Sequence, residues 1–215
     1  KSTAAPARQA AIAWLAPFPP TVWSSAPPST VSPARGSRRT RLAVNGSLPS
    51  AATLAEDHRA RRRDPRETIR SALERIETRQ GDLNAFATID AAGATKRANE
   101  LALAIEGASD PGPLAGVPVS VKDILDVAGL PTRWGSRLMA DAKPALADVA
   151  AVARLRAAGA VILGKTTTSE FAHSPLGVAP LTGVTRNPWA PDVTCGGSSA
   201  GAGVSVAAGL ELFTA

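Results

Sequence analysis

The spacing of hydrophobic residues along this chain predicts alternating helices and strands from residue 64 onwards. Apolar residues at helical spacing mark one face of the first predicted helix: Ile69, Leu73 and Ile76. Asp64, Pro65 and Glu67 fit the N-cap, the first helical position and the capping-box partner of this helix. Gly81 is predicted to end it.

Further along the chain, short apolar runs that suit buried strands follow segments with helical spacing. The predicted strands are residues 84–89, 117–121 and 161–163, and the predicted helices are residues 91–105, 148–158 and 204–210. Strands that alternate with helices in this way indicate an α/β fold.

The first 55 residues differ in composition from the rest of the chain. They hold eight of the 18 prolines in a mixture of Ala, Ser and Arg, and they show neither helical nor strand periodicity. We therefore expect residues 1–55 to be a disordered leader and residues 56–215 to be the folded part. Their acid-free composition is that of a transit peptide, and residues 10–18 are similar to the apolar run of a signal sequence. A fragment end or an over-extended gene model is the origin that we favour.

The net charge of +6 is concentrated in the leader, because residues 56–215 contain 18 basic and 18 acidic residues. A neutral folded part lacks the basic surface that binds a phosphate backbone, so we expect no direct contact with nucleic acid. No apolar run approaches the ~18 residues of a membrane span, so we expect no membrane contact and a cytoplasmic protein. One Cys and two His cannot form an internal disulfide or a usual zinc site, and no cofactor or metal is expected.

A Gly- and Ser-rich segment at residues 195–203 leads into the last predicted helix. Glycines allow a ligand to approach the backbone closely, and the first N–H groups of a helix lack internal partners, so such a loop favours an anion or an oxyanion. Tight packing of a helix on a sheet is the more common reason for the same pattern. The Gly-Lys-Ser/Thr ending of a nucleotide-binding P-loop is absent from the segment.

Lys122 directly follows the apolar run at residues 117–121, in a chain that has five Lys and 19 Arg. Lys can lose its proton when burial lowers its pKa, whereas Arg cannot, so Lys122 is a candidate general base. The alternative is that Lys122 marks the exit of the strand to solvent. His58 and His173 belong to no Ser-His-Asp pattern, and no neighbour of Cys195 would lower the pKa of its thiol, so Cys195 is interpreted as structural.

Five segments, taken together and in this order, resemble the amidase signature family of serine amidohydrolases. They are residues 112–123, 158–166, 169–171, 185–189 and 196–201. The resemblance extends over residues 64–215. It implies a partial amidase-signature fold, in which a mixed β-sheet is flanked by helices and the C-terminal part is missing.

The resemblance also implies a Ser-Ser-Lys mechanism. It assigns the catalytic lysine to Lys122 and the bridging serine, which follows a cis peptide bond, to Ser198; Ser199 would be a supporting hydrogen-bond partner. The loop residues that it adds are Gly196, Gly197 and Gly201. The family's nucleophilic serine and oxyanion donors lie in a Thr-Asp-x-Gly-Gly-Ser loop about two dozen residues after the bridging serine. The nucleophile is therefore expected beyond Ala215, and the fragment is expected to be inactive alone.

The function that the resemblance implies is hydrolysis of the carbon–nitrogen bond in a small carboxamide. Amidases, the A subunits of amidotransferases and ester-cleaving relatives stay open as alternatives. The expected partners are a second copy of the chain or, for an amidotransferase, the B and C subunits. Two interpretations from other classes are kept: an anion-binding α/β module that uses the loop at residues 196–203, and a truncated, non-catalytic paralogue.

Overall fold

The computed structural model describes residues 48–211 and 213–214, and these residues form five α-helices and six β-strands. The helices are α1 (Ala51–Arg59), α2 (Pro65–Leu83), α3 (Ala91–Glu106), α4 (Ala150–Ala157) and α5 (Ala200–Ala207). The strands are β1 (Phe86–Ile89), β2 (Pro118–Lys122), β3 (Val161–Thr166), β4 (Val178–Ala179), β5 (Gly183–Val184) and β6 (Phe213–Thr214). Two short 3-10 turns lie at Arg137–Met139 and Glu170–Ala172.

The main sheet of the described residues is mixed and has the strand order β1-β3-β2-β6. Strand β2 lies parallel to both β3 and β6, while β1 is antiparallel to β3. Strands β4 and β5 form a separate antiparallel pair. The predicted α/β fold with a mixed sheet is thus confirmed.

Helices cover both faces of this sheet. Because the side chains of a strand alternate between its two faces, one strand contributes to the hydrophobic cluster on each side. Val161 and Leu163 of β3 join a hydrophobic cluster with α2, α3 and α5. Ile162, between them, joins a second cluster with the valines of β2 and with buried residues of α1 and α4. On β2, Val119 and Val121 face the second cluster. The alternation therefore places Ser120 and Lys122 on the face that α5 covers.

Helix α2 begins where the sequence predicts but ends later. The Asp64 side chain accepts a hydrogen bond from the backbone N–H of Arg66, and Pro65 occupies the first helical position. The predicted end at Gly81 is wrong, since the helix continues to Leu83 and is capped by Asn84 at a φ of 50°. Leu83 is fully buried in the core, and burial of this side chain stabilises the additional turn.

Helix α1 corrects the predicted boundary of the folded part. Residues 51–55, which were expected to belong to the leader, form its first turns, and the Ser50 side chain caps it by accepting from the N–H of Thr53. Leu54 and Ala55 are buried. A single turn with two apolar residues gives too short a pattern to distinguish a helix from a loop. The rest of the leader, residues 1–47, lies outside the described residues.

Other element boundaries also differ from the predictions. Helix α5 begins at Ala200 and not at residue 204. Gly201 and Gly203, which were expected to lie in the loop, are part of the helix. The strand expected at residues 84–89 begins at Phe86, since Asn84 serves as the cap of α2. None of the helices in the described part of the chain is both long enough and apolar enough to cross a membrane.

Candidate active site

The candidate site forms where the end of β2 meets the beginning of α5. Lys122 is the last residue of β2, and Ser198 and Ser199 immediately precede the first residue of α5. The Nζ atom of Lys122 donates hydrogen bonds to Ser198 Oγ at 2.7 Å and to Ser199 Oγ at 2.9 Å. The structure thus brings together the three residues that the sequence analysis selected. Ser198 and Ser199 are 76 and 77 residues after Lys122 in the sequence.

Lys122 lies in a setting that favours its neutral form. Its side chain is half-buried, and this burial lowers the pKa of Lys122 from its ordinary value. Among the described residues, no carboxylate forms an ion pair with Lys122. Ser198 is also half-buried and Ser199 is exposed, so one side of the group is open to solvent. A lysine beside a hydroxyl group in such a place can exchange a proton with it.

The loop that carries the two serines has an unusual backbone. The peptide bond between Gly197 and Ser198 is cis, as the resemblance implies. Gly196 has a φ of +79°, a conformation that favours glycine over other residues.

Gly201 allows α5 to lie directly on the ends of the neighbouring strands. A Cβ atom at this position would lie 2.1 Å from the carbonyl oxygen of Ala85 and 2.5 Å from the backbone nitrogen of Thr167. The N–H of Gly201 donates to the carbonyl oxygen of Thr167 at 3.1 Å. Glycine at this position therefore sets how closely α5, and with it Ser198, approaches the sheet.

This last hydrogen bond also bears on the alternative of an anion-binding loop. The first N–H groups of α5 would be the donors to an anion. The N–H of Gly201, one of these first donors, already has a protein acceptor in the carbonyl oxygen of Thr167. At least one of the donors that such a site would use is thus engaged within the protein.

A buried ion pair joins β2 to β3 beside the site. Lys165 Nζ lies 2.9 Å from Asp123 Oδ1, and neither side chain is exposed. The same ammonium group donates to Thr132 Oγ1 at 3.0 Å. The sequence analysis missed this pair. Each residue comes two positions after an apolar run, and the ends of neighbouring parallel strands lie side by side; this spacing was the available signal.

The loops that follow β2 and β3 are held to each other on the same side of the sheet. The N–H of Phe171 donates to the carbonyl oxygen of Trp134 at 2.8 Å. The Ser136 hydroxyl donates to Glu170 Oε1 at 2.7 Å. These two hydrogen bonds cross between the loops, so the segments that surround the end of β2 are fixed relative to one another.

The two histidines and the cysteine lie outside the candidate site. His58 is fully buried, with Nδ1 2.7 Å from the carbonyl oxygen of Ala115 and Nε2 2.9 Å from Thr68 Oγ1, and burial lowers its pKa. His173 is exposed. Cys195 donates to the carbonyl oxygen of Thr185 at 3.2 Å, and burial raises the pKa of its thiol. His58 therefore links α1 to neighbouring segments, a role that its sequence surroundings did not indicate.

In the described part of the chain, no group of three or more His, Cys, Asp or Glu side chains is placed to hold a metal ion. The polar groups that meet at the candidate site are the Lys122 amine and the hydroxyl groups of Ser198 and Ser199.

Known proteins are similar in sequence to this chain. The model of the Amidase family matches residues 67–214. The AmiA2 protein of Mycobacterium tuberculosis, a putative amidase by its name, is 41% identical over 179 residues, which cover 78% of this chain and 35% of the relative. In Salinibacter ruber, the A subunit of glutamyl-tRNA(Gln) amidotransferase is 42% identical over 142 residues, or 66% of this chain and 27% of the relative.

Solved structures show the same similarity. The peptide amidase of Stenotrophomonas maltophilia is 32% identical and superposes with a TM-score of 0.73, covering 79% of this chain and 36% of that one. A bacterial aryl acylamidase is 31% identical with a TM-score of 0.73, covering 76% of this chain and 34% of that one. The chain spans about a third of the length of the relatives that it matches.

Proposed function

Since the chain belongs to the amidase family, we propose that Lys122 and Ser198 are the base and the proton-relaying serine of a hydrolase that cleaves carboxamide carbon–nitrogen bonds. The observation that supports this most directly is the 2.7 Å contact between Lys122 Nζ and Ser198 Oγ. A general base must lie within hydrogen-bond reach of the proton that it takes, and this distance satisfies the requirement.

In the proposed mechanism, the neutral amine of Lys122 accepts the proton of Ser198. The oxygen of Ser198 in turn takes the proton of a second serine, whose oxygen forms a bond to the carbonyl carbon of the amide. The carbon–nitrogen bond then breaks, and the proton returns from Lys122 through Ser198 to the leaving amine. Water repeats the attack on the acyl-enzyme and releases the carboxylic acid. Protons and electron pairs balance without a cofactor.

Ser199 has a supporting part in this proposal. Its hydroxyl lies 2.9 Å from Lys122 Nζ, so the amine is held between two oxygens. Such a placement restricts rotation of the long lysine side chain and directs its nitrogen towards Ser198. That the nucleophilic serine lies in a segment beyond Ala215 stays a prediction.

A second candidate function is that of the A subunit in an amidotransferase. The identity of 42% to the A subunit from Salinibacter ruber favours it. That function would require partner proteins and an amide donor such as glutamine. The equal numbers of basic and acidic residues in residues 56–215 favour a free-standing amidase, because contact with a charged tRNA draws on an excess of basic residues.

The proposal is tested in the full-length protein with a panel of carboxamides that includes glutamine, benzamide and peptide amides. Lys122→Ala and Lys122→Arg should each lower kcat by roughly 1,000-fold or more, because neither variant has a base at this position. Lys96→Ala, which removes an exposed lysine of α3, is the matched control and should retain the full rate. Wild-type kcat in Lys122→Ala would refute the assignment of the base.

A further inference from the structure

The carboxyl group of Glu211 is buried between β2 and α5. Its side chain is 1% exposed, and it follows α5 in the segment that leads to β6. Oε1 accepts hydrogen bonds from two hydroxyl groups, that of Ser120 at 2.5 Å and that of Ser205. One oxygen atom therefore joins a strand to a helix.

These two serines belong to the elements that carry the candidate active site. Ser120 precedes Lys122 by two residues on β2, so the alternation of the strand places both side chains on the same face. Ser205 lies within α5, whose first residue follows Ser199. A shift of α5 along β2 would change the distance from Lys122 to Ser198, and the Glu211 carboxyl group opposes such a shift at its two contacts.

We infer that Glu211 is a positioning residue, whose carboxyl group ties β2 to α5 and thereby holds Lys122 Nζ and Ser198 Oγ at hydrogen-bond distance. This inference rests on the proposed function, since it assigns Glu211 a part in arranging the same base and relay serine. Neither Glu211 nor the two serines that it contacts touches the reacting atoms in this mechanism.

The energetics distinguish this role from simple packing. A buried carboxyl group costs free energy unless its oxygens are hydrogen-bonded, and an apolar residue would fill the same space at less cost. Oε2 of Glu211 is buried and has no hydrogen-bond partner among the residues that the structure describes. Polar groups that are retained at such a cost can specify one relative arrangement of two elements.

Burial and hydrogen bonding set the pKa of the Glu211 carboxyl group. Burial raises the pKa of Glu211 to about 7, and the hydrogen bonds from Ser120 and Ser205 oppose this rise. On the packed elements, the guanidinium of Arg75 in α2 donates to the carbonyl oxygen of Gly209 at 2.9 Å, and Lys122 follows Ser120 by two residues on β2. Neither of these two charges forms a hydrogen bond with the Glu211 carboxyl group.

The test compares Glu211→Leu and Glu211→Gln in the full-length protein. Glu211→Leu removes the acceptor and should lower kcat by about 100-fold with little change in KM, because misplacing a catalytic group by about 1 Å costs this much. Glu211→Gln keeps an acceptor oxygen in place and should restore kcat to within about threefold of the wild type. Glu77→Leu, at an exposed position of α2, is the matched control for the change from Glu to Leu.

A second pair of variants guards against a failure of Glu211→Leu to fold. Ser120→Ala and Ser205→Ala each remove one of the two donors, and each single variant should lower kcat. In a protein that already carries Glu211→Leu, neither substitution should lower kcat further. A folded Glu211→Leu protein with wild-type kcat would overturn the inference, as would equal losses of kcat in Glu211→Gln and Glu211→Leu. The proposed function fails separately, if Lys122→Ala retains its activity.

Discussion

The ammonium group of Lys165 lies 2.9 Å from the carboxylate of Asp123, and both side chains are fully buried. Lys122, the residue before Asp123, is directed instead at the hydroxyl groups of Ser198 and Ser199. Burial lowers the pKa of Lys122, and among the described residues no carboxylate forms an ion pair with it. Lys165 therefore holds a buried ion pair, whereas Lys122, on the neighbouring parallel strand, has the setting that its proposed role in proton transfer requires.

The pH dependence of the reaction should report the protonation state of Lys122. Only the neutral amine can accept a proton, so kcat/KM should rise as the pH rises through the pKa of Lys122, which burial places below its ordinary value. The measurement is a profile of kcat/KM against pH with a carboxamide substrate. Lys122→Arg, which stays charged, should show no such ascending limb in its residual rate. If the rise of kcat/KM with pH persisted in Lys122→Arg, a group other than Lys122 would be the one that titrates.

The two serines that contact Lys122 should differ in their effect on the rate. Ser198→Ala removes the proposed proton relay and should lower kcat by roughly 1,000-fold or more. Ser199→Ala removes only one acceptor that holds the amine, so we expect a loss of about 10-fold. Steady-state kinetics of both variants under the same conditions give the comparison. Equal losses would mean that the two hydroxyl groups share the relay.

Substitution of two glycines in α5 should have opposite effects on stability. A Cβ atom at Gly201 would lie 2.1 Å from the carbonyl oxygen of Ala85, so Gly201→Ala should lower the free energy of unfolding by about 1–3 kcal/mol. At Gly203, no heavy atom lies within 4 Å of the added Cβ. Gly203→Ala should raise the free energy of unfolding by up to about 1 kcal/mol, as expected for a helix interior. Urea unfolding of both variants is the measurement, and equal effects would contradict the close packing of α5.

Breaking the buried ion pair should destabilise the fold strongly. Lys165→Met leaves the Asp123 carboxylate buried without its counter-charge, and we expect a loss of about 3–5 kcal/mol in the free energy of unfolding. Replacing both residues, as in Lys165→Met with Asp123→Leu, should recover most of this loss. Arg70→Ala, which breaks exposed ion pairs with Glu67 and Glu74, should change the free energy of unfolding far less, because solvent screens exposed pairs. A loss in Lys165→Met no larger than in Arg70→Ala would contradict the buried pair.

The stability of the protein should fall with rising pH because of Glu211. Its pKa in the folded state is about 7, above the ordinary value of 4.5, so the folded state binds the proton more tightly than the unfolded state does. The resulting stabilisation is fully present below pH 4.5 and is lost as the pH rises through 7. The loss amounts to roughly 3 kcal/mol at most.

Glu211→Gln should remove this contribution. The measurement is urea unfolding at pH 5 and pH 8 for both proteins, where the wild type should lose about 2–3 kcal/mol more than the variant between the two conditions. Glu77→Gln, at an exposed position, should leave the pH dependence unchanged. An identical pH dependence in the wild type and Glu211→Gln would show that Glu211 does not titrate in this range.

Local patterns in the sequence were sufficient to predict much of the fold. The cap at Asp64 and Pro65 placed the beginning of α2, and the apolar runs located β2 and β3 to within a few residues. The boundaries that failed, at Gly81 and at residues 51–55, are places where burial of Leu83 and Leu54 outweighed the local signal. Propensity and capping act over a single turn, while burial depends on segments far away in the chain.

The sequence by itself determined the family, through five segments in their order, and it selected Lys122 and Ser198 as candidates. Only the tertiary structure decided which polar atoms meet. It placed Lys122 beside Ser198, paired Lys165 with Asp123, and set Glu211 between Ser120 and Ser205. Hydrophobic spacing determines which face of an element is buried, but it carries no information about the partner of a polar group. That partner is chosen when helices and strands pack, because most buried polar groups then need a hydrogen-bond partner within the protein.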